Sequence, residues 1–215
     1  MARKSAKLGI VGFYSRYILP NIISCGCGMR SMREKRQALA PRAAGVVRKL
    51  GLGSGHNLPF YDPQRVTKVF GLEPEPGMLA KARRRVKKAA VDVELLPEKA
   101  ENVSLPDGSV DTVLVTFSLC TIPDVRAALR GARRVLKPGG RLLFCEHGRS
   151  PDADVFARQQ RLEPTWKRLF GGCHLTRDIP GLVRAAGFHI EELESGYMPK
   201  APKVGGYVYE GMAAR

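Results

Sequence analysis

From residue 46 onward, short apolar runs recur at 46–50, 66–72, 91–95, 111–116, 140–146, 188–194 and 206–213. Their length and their content of valine, leucine and phenylalanine predict strands. Between them lie stretches with apolar positions at helical spacing, at about 55–61, 76–89, 124–136 and 178–185. Strand and helix signals alternating in this way predict an α/β domain, a mainly parallel sheet with helices on both faces. An insertion at 149–176 interrupts the alternation and reads as partly helical over 154–169. Ahead of the sheet, residues 5–43 predict one or two helices, with Pro20 and Gly26-Cys27-Gly28 as breaks. The chain thus divides into a helical arm, 1–45, and one α/β domain, 46–215. At 215 residues and 44% hydrophobic content it supports one sizeable core.

The chemistry concentrates in Lys49-Leu50-Gly51-Leu52-Gly53-Ser54-Gly55-His56-Asn57, which follows the first predicted strand. Alternate glycines permit a tight turn and let bare backbone approach a ligand. Glu73 ends the second strand, about twenty residues on, where a carboxylate can accept hydrogen bonds from ribose hydroxyls. The pair indicates a nucleoside cofactor. A dinucleotide fingerprint would place its third glycine at position 56, which is His; here it comes one residue early, at Gly55.

With that spacing the segment resembles motif I of class I S-adenosylmethionine (SAM) methyltransferases, and later segments agree in order. Val66 to Glu73, followed by Pro74, resembles motif II. Ala100-Glu101 resembles the element that brings an acid to the adenine amino group. Ser109 to Val115 and Ser118-Leu119-Cys120-Thr121-Ile122-Pro123-Asp124 resemble the fourth strand and its loop. Arg134-Val135-Leu136-Lys137-Pro138-Gly139-Gly140-Arg141 is similar to the family's turn before strand five. The resemblance implies a Rossmann-like sheet of seven strands, the last antiparallel and slotted between strands five and six, with SAM as cofactor. It also implies cofactor roles for Gly51, Gly53, Gly55 and Asn57 in the loop and Glu73 and Pro74 at the ribose. Met78, Ala100, Glu101, Ser118 and Leu119 would surround the adenine. One departure stands out: the acid usual two residues before the first glycine is Lys49, preceded by Arg48. A lysine there would repel the ammonium of the cofactor or meet its carboxylate.

On the acceptor side, Glu146-His147-Gly148, Trp166 to Leu175, and Tyr14-Ser15-Arg16-Tyr17-Ile18-Leu19-Pro20 resemble a bacterial subgroup of small class I methyltransferases. That subgroup is similar to the membrane-associated thiol methyltransferases of animal cells, and more loosely to quinone and phospholipid methyltransferases. The resemblance implies a small hydrophobic acceptor, a thiol first, under an N-terminal helical lid. His147 and His174 are the candidate proton acceptors, although each also reads as a hydrogen-bonded structural histidine. Tyr14, Tyr17, Trp166 and Cys173 are the candidate acceptor contacts. The rival acceptors are a lipid amine, a quinone precursor and nucleic acid; the rival class is a SAM-binding protein without turnover.

Charge bears on these rivals. The net charge is +16, yet residues 1–49 carry eleven basic side chains against one acid, and residues 81–88 carry six more. The remaining nineteen basic and nineteen acidic residues cancel. The positive charge therefore sits on two segments and not on the predicted catalytic rim. No Asn/Asp-Pro-Pro-aromatic motif follows strand four, so nucleic acid is a poor fit. In the arm, Tyr14, Tyr17, Ile18, Ile22 and Ile23 recur at helical spacing, suiting either a lid or an anionic membrane surface. No apolar run reaches the roughly 20 residues of a membrane span, and a secretory leader is not expected. Five scattered cysteines suggest reduced thiols and a cytoplasmic setting. Cys25-x-Cys27 lacks the usual zinc spacing, Cys120 and Cys145 read as packing residues, and no metal is expected.

Overall fold

The computed structural model describes residues 18–215 except Val103, so Tyr14 and Tyr17 lie outside the described residues. Two helices, α1 (Leu19–Cys27) and α2 (Arg30–Leu39), precede the sheet. The strands are β1 (Gly45–Leu50), β2 (Val66–Leu72), β3 (Asp92–Leu96), β4 (Val110–Thr116), β5 (Leu136–His147), β6 (His189–Tyr197) and β7 (Tyr207–Ala214). Interleaved are α3 (Pro76–Val86), α4 (Val125–Val135), α5 (Ala153–Leu169), α6 (Ile179–Ala185) and the single turn α7 (Lys203–Gly206).

The strand order is β3-β2-β1-β4-β5-β7-β6. Neighbours from β3 to β5 run parallel, and β7 is antiparallel to both β5 and β6, as the resemblance implied. The order reverses between β1 and β4. In an open α/β sheet that switch point opens a crevice beyond the carboxyl ends of the strands.

Side-chain period explains the layers. On α4, Val125, Ala128, Leu129, Ala132 and Val135 form one buried stripe against Val113, Leu142 and Phe144 of the sheet. On the other face, Leu39, Ala40, Ala43 and Ala82 cover Val47, Val69, Leu114 and Leu143. Side-chain caps set three helix starts: Glu75 accepts from Met78 N–H (2.7 Å), Asp124 from Ala127 (2.9 Å) and Asp178 from Gly181 (3.0 Å).

Four boundaries differ from expectation. The helix predicted at 55–61 is one 3₁₀ turn, Leu58–Phe60, because Gly55 adopts φ +85° and Pro59 removes a backbone donor. Pro20 does not break a helix but lies in the first turn of α1, where its missing N–H costs nothing. Helix α3 stops at Val86, short of 89. Strand β5 begins at Leu136, absorbing the Pro-Gly-Gly segment assigned to a turn. Among the described residues no helix is long and apolar enough to cross a membrane.

Candidate functional site

A cavity of about 410 Å³ opens at the switch point. Its walls include Gly51, Gly53, Asn57, Glu73, Pro74, Met78, Ala100, Glu101 and Ser118, all foreseen from the sequence. Two foreseen residues are elsewhere. Gly55 shapes the loop from outside the cavity, and Leu119 is fully buried in the core packed against α4, so it does not reach the cavity.

The glycine loop makes the tight turn its spacing suggested. Gly51, Gly53 and Gly55 all have left-handed φ, +58°, +60° and +85°. At Gly51 a Cβ would sit 2.5 Å from Ser118 Oγ, so the close approach of β1 to the loop after β4 requires glycine. A Cβ at Gly53 would meet nothing nearer than Met78 Cε at 3.9 Å; it would project into open cavity. Glu73, 8% exposed, receives the N–H groups of Gly53 (2.8 Å) and Glu75 (3.0 Å), one on each carboxylate oxygen. Burial raises its pKa, against the pull of those two bonds. Phe117, just past β4, has φ +51°, a strained conformation for a bulky residue, and it lines the cavity.

Lys49 does not face this cavity. It is fully buried, and its Nζ donates to the carbonyls of Leu50 (2.7 Å) and Gly51 (3.0 Å). Burial lowers its pKa to about 7, against the pull of the Glu146 carboxylate. Its amine is thus committed to two backbone carbonyls and not to the cavity. Two other basic side chains line the cavity, the exposed Lys99 and Arg36 of α2, and of these Arg36 is buried, only 3% exposed. Its Nη1 donates to Cys27 O (2.5 Å), its guanidinium lies 5.1 Å from the Phe117 ring centre, and its Nε is buried without a partner. Asn57 Nδ2 is likewise unpartnered, while its Oδ1 accepts from Thr116 Oγ1 (3.0 Å).

Helix α1 covers one side of the cavity with Leu19, Pro20, Ile23 and Cys27. Ser24 Oγ meets Ser54 Oγ (2.9 Å), His56 Nε2 meets Ser24 O (3.0 Å), and Lys81 Nζ donates to Asn21 Oδ1 (2.5 Å). The helix is thus tied to the glycine loop and to α3. Burial, helped by nearby Arg85, takes the His56 pKa down to about 4. Leu19, Pro20 and Ile23 belong to stretches the sequence set on the acceptor side or in a lid, whereas Cys27 and Arg36 were not foreseen; apolar spacing in the arm did not say which face would turn inward.

Beside the cavity, Cys120, His147 and Cys173 come together, all buried, with donor atoms within 4.8 Å of one another. His147 Nε2 lies 3.1 Å from Cys173 Sγ. The Cys120 thiol hydrogen-bonds to Cys173; that bond and the His147 contact push the Cys173 pKa well down, while the same bond and burial push that of Cys120 up. Burial opposes charge on His147, but the Cys173 hydrogen bond raises its pKa on balance. Trp166 is half-buried against Phe170, ring centres 4.2 Å apart. Its indole N–H has no partner of hydrogen-bond geometry, yet it lies near enough to Cys173 to favour the thiolate. His174 turns to Glu163, Nδ1 to Oε1 2.9 Å, and Glu163 also accepts from the Thr176 N–H (3.0 Å). Neither histidine, nor Trp166 nor Cys173, is among the lining residues of the cavity.

A switch-point crevice with a glycine loop, a carboxylate just past β2 and a reversed β7 is the class I methyltransferase architecture. Residues 49–144 match the family model described as a methyltransferase domain. Together these place the chain among the class I methyltransferases. A thiol S-methyltransferase, TMT1B, of Rattus norvegicus is 36% identical over 150 residues, covering 68% of this chain and 61% of that protein. A phosphatidylethanolamine N-methyltransferase of Cereibacter sphaeroides is 29% identical over 172 residues, covering 77% of this chain and 83% of that protein. Among solved structures, a SAM-dependent methyltransferase from Thermotoga maritima superposes with a TM-score of 0.63 at 22% identity, covering 94% of this chain and 98% of that one. The last likeness speaks to fold alone. The chain spans under two thirds of the length of the rat relative.

Proposed function

We propose that this protein transfers a methyl group from SAM to a small hydrophobic acceptor, a thiol before others. The observation carrying the proposal is the single cavity that joins the Gly51-Gly53-Glu73 rim to the apolar side of α1. The residues present suit the cofactor: the space a Gly53 side chain would fill is open, and Arg36 Nε and Asn57 Nδ2 are buried donors without partners. When bound, SAM supplies a methyl carbon made electrophilic by its sulfonium.

Glu73 accepts the ribose hydroxyls, Glu101 faces the adenine amino group, and Met78 and Ile122 pack on the adenine. Arg36 takes the methionine carboxylate, the role left open by Lys49. Helix α1 acts as a lid that excludes water and holds the acceptor, and in-line alignment supplies much of the rate, on the order of 7–11 kcal/mol in favourable systems. A thiol with pKa near 8.5 must lose its proton. Neither histidine lines the cavity, and of the two the proton is assigned to His174, because Glu163 holds Nδ1 of His174 and leaves Nε2 to accept, whereas Nε2 of His147 is engaged by Cys173.

The name of the rat relative supports the thiol. A lipid amine or quinone precursor is the second reading, favoured by the coverage of the Cereibacter relative. The setting proposed is cytoplasmic and peripheral to a membrane: Ile18, which precedes α1, and Ile22 within it are 40% and 42% exposed, do not line the cavity, and belong to the basic arm. A methyl-transfer assay with labelled SAM over thiols, amines and quinols tests the reaction, and turnover confined to amines or quinols would replace the thiol. Cosedimentation with anionic vesicles tests the membrane contact.

A further inference from the structure

We propose that Cys120, His147 and Cys173 form a zinc site with three protein ligands and a fourth position open to water. The three residues come from the loop after β4, the end of β5 and the segment after α5, so no local sequence motif announces them. Two thiolates and an imidazole are the donor set that borderline-soft Zn²⁺ prefers. Around a tetrahedral zinc, with Zn–S about 2.3 Å and Zn–N about 2.0–2.1 Å, such donors stand roughly 3.5–3.8 Å apart. Here they all lie within 4.8 Å, and one pair, His147 Nε2 and Cys173 Sγ, is 3.1 Å apart. Side-chain adjustments of a fraction of an ångström to about one ångström suffice to close the site.

Charge supports the same assignment. All three side chains are buried, where a lone thiolate is costly. Zinc entering as a dication displaces two protons from the group of two cysteines and one histidine, leaving a neutral centre of one Zn²⁺, two thiolates and one neutral imidazole. Nothing is oxidised or reduced. Two buried polar atoms at this spot also lack partners: His147 Nδ1 and Glu146 Oε2, on residues 7% and 0% exposed. With Nε2 on the metal, Nδ1 carries the proton, and second-shell acceptors commonly orient such a histidine. The other charged groups felt by the cluster are Arg177, whose guanidinium donates to Leu119 O, and the Glu146 carboxylate. Thr121 follows Cys120, and Gly171 lies two residues before Cys173; both line the cavity. The metal would therefore pin that wall to the end of β5.

The test uses the full chain, expressed with zinc and purified under reductant, with metal content read by mass spectrometry. Cobalt(II) is then added to the demetallated protein and its spectrum recorded. One zinc per chain, a sulfur-to-cobalt charge-transfer band and tetrahedral d–d bands are expected. Cys120→Ser and Cys173→Ser should lose the stoichiometric metal and weaken the charge-transfer band, whereas Cys25→Ser, at an exposed cysteine outside the cluster, should change neither. The wild-type spectrum decides even where a variant fails to fold. Absence of bound metal, cobalt bound without thiolate bands, a spectrum lost in Cys25→Ser, or a Cys120–Cys173 disulfide that takes up no zinc after reduction would each overturn the proposal. The readout is independent of methyl transfer, so failure of one does not imply failure of the other.

Discussion

Replacing Glu73 tests the cofactor site most directly. Its carboxylate already holds two backbone N–H groups, one on each oxygen, at 2.8 and 3.0 Å. Each oxygen retains a lone pair for one ribose hydroxyl. Hydrogen bonds to a charged group are worth about 1.5–3 kcal/mol each, so losing both should cost about 3–6 kcal/mol, roughly 10²–10⁴ in SAM affinity. Glu73→Gln is sharper than Glu73→Ala. The amide keeps one acceptor oxygen but turns an NH₂ toward the other backbone N–H, leaving that donor unpaired at about 1–3 kcal/mol of stability. Because the variant also loosens the loop, affinity alone would be ambiguous. Calorimetry should therefore compare S-adenosylhomocysteine with its 2′,3′-dideoxy analogue on both proteins. The wild type should discriminate strongly between the ligands, and the Gln variant far less. A coupling below about 0.5 kcal/mol, the level of independent sites, would refute the ribose assignment.

Four further outcomes are expected. Arg36→Met should weaken SAM binding by about 1.5–3 kcal/mol yet leave decarboxylated SAM unaffected in the same calorimeter; equal losses would remove Arg36 from the carboxylate. Gly51→Ala should lower the melting temperature, since φ +58° alone costs about 1–3 kcal/mol for a residue with a Cβ, before the contact with Ser118 is counted. Lys49 has a folded pKa of about 7, below its unfolded value, so the unfolded chain binds more protons above pH 7 and stability should rise with pH toward 10. Urea melts across that range should show the slope, up to about 1.4 kcal/mol per unit, disappear in Lys49→Met; parallel curves would mean the amine is not buried in this way. Glu163→Gln and His174→Ala should each reduce turnover on a thiol by roughly 10²-fold with SAM affinity unchanged, and a fully active His174→Ala would take it out of the reaction.

The architecture was legible along the chain because strand and helix periods are local properties. The runs at 46–50 and 66–72, the alternate glycines and Glu73 all fell where residue chemistry indicated, and the carboxyl-end rule then gathered them at one rim. The helix read at 55–61 failed for a local reason too, the left-handed Gly55 with Pro59 behind it. What needed the tertiary structure were matters of direction and of distant neighbours. Lys49 looked like a charge aimed at the cofactor, but only the packed sheet shows its amine folded back onto two carbonyls. Arg36 looked like one cation among nine in a basic arm, until α2 packed it beside Phe117 in the cavity wall. Cys120, His147 and Cys173, read separately as packing, base and contact, are 27 and 26 residues apart in sequence and meet in one buried cluster. Sequence spacing determines which face of its own element a side chain takes, and long-range packing alone decides what that face meets.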